Sequence, residues 1–295
     1  MYKLAIKYQE NELYYCDNLN LLREIPNNSI NLIYCDVLYG TGKKFKDYKD
    51  IKSDENTVRN FYVNRLNLMR NKLKDNGSIY IQVDTRINYL MRAIMNEIFG
   101  EKNFRNEIIW WKNTFSQNQE DLYLKKHDNI LFYTKGEEFY FEPQKIFNGK
   151  KVDRMQRGFF DSGNAYLVYD KEKFETYKRI HEEKGIFSKK AIKEKFNEQP
   201  FTTCQDVIAD IGVVNPKSKE WEDYCSQKPI ELMERIILSS SKKGDLIADF
   251  FMGSGSFIVA AVKSGRRYIG CDTNIKALTI CRRRINEIEN VEKND

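Results

Sequence analysis

Residues 246–272, LIADFFMGSGSFIVAAVKSGRRYIGCD, constrain this chain more than any other stretch. Leu246–Asp249 is a short apolar run of strand character that ends in an acid. A glycine loop, Gly253-Ser254-Gly255-Ser256, follows, and Phe257 to Val262 is apolar in the manner of a buried helix. Arg267 to Gly270 forms a second short strand, which again runs into an acid, Asp272. Strand, glycine loop, helix, strand, acid is the layout of a nucleotide-type pocket at the carboxyl end of a parallel sheet. The second acid, roughly 20 residues after the first, is placed to accept hydrogen bonds from ribose hydroxyls. The loop has no Gly-Lys-Ser/Thr ending, and G-S-G is shorter than G-x-G-x-x-G, so neither phosphate-binding form applies. A cofactor with an adenosine but no pyrophosphate fits better. A plain glycine turn between a strand and a helix is the bland alternative.

The rest of the chain supplies strands and helices in alternation. Leu13 to Cys16 reads as a strand closed by Asp17, and Leu19 to Ile25 as a short helix. Ile30 to Cys35 is almost wholly apolar, the signature of a strand buried on both faces. It delivers Asp36-Val37-Leu38-Tyr39-Gly40-Thr41-Gly42, at the strand end where α/β sites form. Asn56 to Lys72 and Ile87 to Ile98 have the apolar stripe of amphipathic helices, with a strand at Ser78 to Val83 between them. Successive strand–helix units without a hairpin signal argue for a parallel sheet. Glu107 to Lys112 and His127 to Lys135 add two strands around a polar loop, and Thr273 to Asn290 is the last helix. Lys171 to Glu198 reads as helical with exposed Glu–Lys pairs.

Hydrophobic residues make up 41% of 295, enough for a substantial core in one large domain with an insertion or two small ones. Forty-nine Lys and Arg against 43 Asp and Glu leave a net charge of +6, compatible with a polyanionic partner. The six cysteines stand singly and there are only two histidines, His127 and His181, which argues against a zinc cluster or a disulfide framework. With no signal pattern and no apolar run of membrane-spanning length, a cytoplasmic protein without membrane contact is expected.

Several motifs together resemble one family. Asp249-Phe250-Phe251-Met252-Gly253-Ser254-Gly255-Ser256 resembles the D-P-F-x-G-S-G-T loop by which amino-methylating DNA methyltransferases hold S-adenosylmethionine, with Phe250 in place of the proline. Asp36-Val37-Leu38-Tyr39 resembles their catalytic [DNS]-P-P-[YF] motif in its D…Y form, with both prolines absent. Glu107-Ile108-Ile109-Trp110 and Lys126-His127-Asp128 to Lys135 resemble the E-I-I-W and K-H-D-x-I-L-F-Y-x-K pair. Ser226-Gln227-Lys228-Pro229 resembles T-Q-K-P. With the glycine loop near the C-terminus, the order is that of the circularly permuted β class, from restriction–modification systems.

The resemblance implies a Rossmann-like methyltransferase sheet, circularly permuted, with an inserted target-recognition region. Residues 1–135 would be the catalytic half, 136–216 the insertion and 217–295 the cofactor-binding half. S-adenosylmethionine would be held by Asp17, Lys228, Asp249, Phe250, Gly253, Ser254, Gly255 and Asp272, with Lys228 facing its carboxylate and Asp17 its adenine. Asp36 and Tyr39 would be catalytic. An exocyclic amine is a poor nucleophile because its lone pair is delocalised into the ring. A carboxylate and a backbone carbonyl, here Val37, can accept its hydrogens and stabilise the charge that develops in attack. An aromatic ring can stack on a base flipped from the duplex. Double-stranded DNA is the implied partner, with Lys43, Lys44, Asn113, Lys125, Lys126, Arg154 and Arg157 as candidate contacts. A cognate endonuclease and a homodimer are further expectations of the resemblance. No metal is expected.

Aspartate at position 36 favours adenine N6 over cytosine N4. Cytosine N4 stays open, as does a catalytically weak DNA- or cofactor-binding relative, since proline would fix the shape of the D-V-L-Y loop. RNA or small-molecule methylation is a third reading, against which the basic-aromatic insertion stands.

Overall fold

The computed structural model describes residues 6–112, 122–147 and 201–292. They fall into two compact units, one of residues 1–142 and 206–295 and one of 143–205. The helix expected at Lys171 to Glu198 lies outside the described residues.

The larger unit is built on one eight-stranded sheet. Its strands are β1 (Glu12–Tyr15), β2 (Ile30–Asp36), β3 (Leu73–Val83), β4 (Phe104–Trp111), β5 (His127–Thr134), β8 (Val207–Ile208), β9 (Leu246–Asp249) and β10 (Arg267–Asp272). The spatial order is β1-β10-β9-β2-β3-β5-β4-β8. Strands β1, β10, β9, β2 and β3 pair in parallel, as the alternation of strand and helix predicts. The expectation of a wholly parallel sheet fails beyond β3, because β5 runs antiparallel to both β3 and β4. The backbone amide of Lys112 donates to the Lys126 carbonyl at 2.6 Å, so β4 and β5 turn back on one another.

The unbroken apolar run of β2 follows from cover on both faces. Successive residues point to opposite sides of a strand. Ile33 and Cys35 therefore join a core with α1 (Asn18–Glu24), α2 (Glu55–Lys72) and α3 (Asn88–Phe99). Leu32 and Tyr34 join another with α4 (Ile230–Ser240), α5 (Ser256–Lys263) and α6 (Ile275–Glu292). Caps set two of these helices. Asp17 accepts from the Leu19 amide at 2.8 Å to start α1, and Asp54 accepts from the Thr57 amide at 2.9 Å to start α2. Pro229 stands at the N-cap of α4, where it needs no amide hydrogen.

The described part of the smaller unit is a two-stranded antiparallel pair, β6 (Lys145–Phe147) and β7 (Phe201–Thr203).

Gly255 fixes how the glycine loop sits on the sheet. Its φ is +79°, and a Cβ there would lie 2.2 Å from Cys281 Sγ on α6. Gly255→Ala should cost about 2–4 kcal/mol through overpacking and left-handed strain. Urea denaturation measures this, and an unchanged midpoint would show that α6 can move aside.

Candidate active site

Strands β9 and β2 are neighbours, yet the helices that follow them, α5 and α2, pack on opposite faces of the sheet. Such a switch point opens a crevice at the carboxyl ends of the strands. Asp249 ends β9 and Asp36 ends β2. A cavity of about 660 Å³ lies there, lined by both acids together with Asp17, Tyr39, Lys228 and Asp272. Residues from the two ends of the sequence thus form one site.

On the β9 side, Asp272 shapes the glycine loop. Its Oδ2 accepts from the Gly253 amide and its Oδ1 from the Asn274 amide, each at 2.8 Å. Gly253 has a φ of +53°, which disfavours a side chain, and a Cβ there would press on the Tyr224 ring at 3.3 Å. Burial raises the pKa of Asp272, and raises that of Asp249 well above the usual carboxylate range. Asp249 accepts from the Phe251 amide at 2.9 Å. Phe250 is packed into the core, whereas Phe251 is half-buried beside Phe61 and Tyr62. Buried Ser254 offers its carbonyl to Arg284 at 2.8 Å, which ties the loop to α6.

Asp17 reaches the same rim. Tyr15 pairs with Asp272 across β1 and β10, which places Asp17 beyond the strand next to that of Asp272. Its Oδ2 accepts from Arg65 at 2.8 Å, and Arg65 also donates to Asn18 Oδ1 at 2.8 Å. Asn18 in turn donates to the Phe250 carbonyl at 2.9 Å, linking α1 and α2 to the loop after β9.

On the β2 side, Asp36 is doubly engaged. Its Oδ1 accepts from the Tyr39 hydroxyl at 2.7 Å, and its Oδ2 pairs with the Lys228 ammonium. Lys228 also donates to the Ser226 carbonyl at 3.0 Å and lies 5.6 Å from the centroid of the Tyr39 ring. In this structure Lys228 therefore faces the Asp36 carboxylate. Burial raises the pKa of Asp36, while Lys228 opposes the shift. The Tyr39 hydroxyl is pushed far up by burial and by the two acids beside it, Asp36 and Asp128.

The missing prolines have replacements. The Val37 amide donates to the Gln82 carbonyl at 3.2 Å, a bond that proline could not make. The Val37 side chain is buried, and the Leu38 carbonyl accepts from the Tyr62 hydroxyl at 2.9 Å. Beyond Tyr39, the buried Asp50 carboxylate accepts from the amides of Gly40 (3.1 Å), Thr41 (2.8 Å) and Ile51 (2.8 Å). Asp47 in the same loop accepts from the Cys225 amide at 2.8 Å and from Lys276 at 2.9 Å. Lys43 and Lys44 stand exposed on this loop.

Sequence reasoning missed Asp50, Asp47, Gln82 and Arg65. Only Gln82, a polar residue between Ile81 and Val83, carried any signal; Asp47, Asp50 and Arg65 stand among polar and charged neighbours. Asp128 was legible as part of the H-D-x-I-L-F-Y run, but not its approach to Tyr39. Of the candidate DNA contacts, Lys125 is exposed and Lys126 half-buried, whereas Asn113, Arg154 and Arg157 lie outside the described residues. Trp110 is core, its indole donating to the Ile211 carbonyl at 2.8 Å.

The profile of the N6_N4_Mtase family, described as DNA methylase, matches residues 30–283. The chain is similar to the type II methyltransferase M1.MboII of Moraxella bovis, with 27% identity over 95% of this chain and 98% of that one. It is also similar to the DNA adenine methyltransferase YhdJ of Escherichia coli K12, with 25% identity over 91% and 80%. Among solved structures, the M1.HpyAVI–SAM complex superposes with a TM-score of 0.57 at 16% identity, covering 93% of this chain and 98% of that one.

Replacing Lys228 with Met should raise the Asp36 pKa further, because the cation that favours the ionised form is gone. Carboxyl-carbon NMR titration of both proteins checks this. A midpoint that stays in place would show that Lys228 is not the controlling charge.

Proposed function

We propose that this chain, which belongs to the DNA methylase family, transfers the methyl group of S-adenosylmethionine to the exocyclic N6 of adenine in duplex DNA. The observation that carries the reading is the meeting of Asp36 and Asp272 in one cavity, from motifs at opposite ends of the sequence. When bound, S-adenosylmethionine supplies an electrophilic methyl carbon on its sulfonium sulfur.

The glycine loop fits that group, since the bare backbone of Gly253 lines the cavity and lets a ligand approach closely, while Gly255 lets the loop pack against α6. Asp272 would accept from ribose hydroxyls and Asp17 would face the adenine, with Asp249, Phe250 and Ser254 holding the loop in shape. Lys228 could turn from Asp36 to the cofactor's carboxylate. Asp36 accepts a hydrogen bond from the target amine, with the Val37 carbonyl as second acceptor. The carboxylate then stabilises the positive charge that grows on nitrogen. The Tyr39 ring stacks on the flipped base.

Adenine is favoured over cytosine by aspartate at position 36 and by the likeness to a relative named as an adenine methyltransferase. The amine-acceptor geometry itself would also serve cytosine N4. We assign residues 136–216 to target recognition, with 1–135 and 217–295 as the catalytic and cofactor-binding halves. Lys43, Lys44, Asn113, Lys125, Lys126, Arg154 and Arg157 would approach the DNA backbone. Likeness to type II enzymes supports a place in a restriction–modification system with a partner endonuclease, and a homodimer is the assembly we propose. Among the described residues, no helix is long and apolar enough to cross a membrane.

Unmethylated genomic DNA incubated with the protein and S-adenosylmethionine should yield N6-methyladenine by nucleoside mass spectrometry. N4-methylcytosine would overturn the base assignment, and no methylated base with cofactor still bound would leave a binding module. Asp36→Ala should abolish methylation with cofactor affinity nearly unchanged, whereas Asp272→Ala should weaken cofactor binding by calorimetry. The reverse pattern would exchange their roles. Because Asp36 must be ionised and burial raises its pKa, kcat/KM should fall on acidification at a pH above the ordinary aspartate range. An acid limb at the ordinary aspartate value would contradict this.

A further inference from the structure

The Tyr39 hydroxyl has one proton and two carboxylates. Asp36 Oδ1 lies at 2.7 Å and Asp128 Oδ2 at 3.0 Å. Asp128 is 1% exposed and tightly held. Lys112 donates to its Oδ1 at 2.5 Å, and Gln82 Nε2 donates to its Oδ2 at 3.0 Å. Gln82 is itself fixed by the Tyr34 hydroxyl, which donates to Gln82 Oε1 at 2.6 Å. Two lysine–carboxylate pairs thus flank one phenol, Lys228 with Asp36 and Lys112 with Asp128.

This arrangement bears on how Asp36 becomes available. Both of its oxygens already accept, one from Tyr39 and the other from Lys228. A target amine must share an oxygen with one of these donors or displace it, and a shared acceptor weakens each bond. Displacing Tyr39 without another acceptor would leave a partly buried hydroxyl unpaired, at a cost. Asp128 Oδ2 already lies within hydrogen-bond distance, so the phenol proton can turn to it by rotation about the C–O bond, with the ring unmoved.

We propose that Asp128 is a positioning residue: it takes the Tyr39 hydroxyl proton when the target amine takes Oδ1 of Asp36. The carboxylate is freed while the aromatic platform stays in place. Lys112 and Gln82 hold Asp128 ready for this exchange. The inference rests on the proposed role of Asp36 as the amine acceptor.

Asp128→Asn tests it. With Lys112 donating to the amide oxygen, the Asn amino group takes the Oδ2 position and donates to Tyr39. The Gln82 amide flips to accept from it while the Tyr34 hydroxyl accepts from Gln82 Nε2, and the phenol hydrogen bond stays with Asp36. Turnover should fall about tenfold with cofactor affinity unchanged. In a Tyr39→Phe background there is no hydroxyl to relocate, so adding Asp128→Asn should change kcat less than about twofold. An equal loss in both backgrounds would reduce Asp128 to a structural role, and no loss in either would remove it from the reaction. If Asp128→Asn does not fold, Asp128→Leu with Lys112→Met removes the acceptor and its cation together, leaving neither charge unpaired. The same pair of backgrounds then applies. Asp36→Ala is assayed alongside. Methylation that persists there overturns the reading of Asp36, whereas its loss there beside wild-type turnover in Asp128→Asn overturns the present inference alone.

Discussion

The parallel pairing of β9 with β2 is the constraint on which the molecule depends. Leu32 lies beside Ile247 and Ile33 beside Ala248, so strands from opposite ends of the sequence share a register. That register brings the end of β9, with its glycine loop, beside the end of β2, with its Asp36 loop. A one-residue slip would carry Leu32 and Tyr34 to the face of Ile33 and Cys35, and would turn Asp36 away from the crevice. The cores on the two faces fix the register, and the register fixes the site.

The crevice concentrates negative charge in a partly dry place. Asp36, Asp249 and Asp272 line it and buried Asp128 stands behind Tyr39, each held by partners of its own. Asp36 and Asp128 have lysines, Asp249 has the Phe251 amide, and Asp272 has the amides of Gly253 and Asn274. Burial raises the pKa of Asp36, Asp249 and Asp272 despite these partners, so desolvation outweighs the compensation. Such a site favours a cationic ligand group and can stabilise positive charge developing on a neutral amine, in keeping with chemistry at a sulfonium.

The parts of this arrangement legible in sequence were those written in local runs. The apolar stretch ending in Asp36, the glycine loop after Asp249 and the acid at Asp272 each declare a strand and its terminus. Their convergence was legible through the permuted motif order. The antiparallel pairing of β5 was not, since the direction of a strand depends on where its partner lies. Nor was the pairing of Lys228 with Asp36, which are 192 residues apart. The Tyr39–Asp128 contact spans 89 residues, and neither residue's neighbours encode it. Asp50 and Asp47 were silent for the same reason: an acid that accepts from loop amides looks, in sequence, like any solvated acid.

The D-V-L-Y loop shows how one conformation can be reached by different physics. Proline restricts the unfolded chain and fixes φ, so it shapes a loop without needing partners. Valine at position 37 gives up that restriction but regains an amide hydrogen, which bonds to the Gln82 carbonyl, and a branched side chain that packs into the core. Tyr62 then holds the Leu38 carbonyl from α2. The loop is therefore set by its surroundings rather than by its own covalent stiffness. Its shape depends on β3 and α2 being in place, and the positioning of Asp36 and Tyr39 becomes a property of the folded sheet.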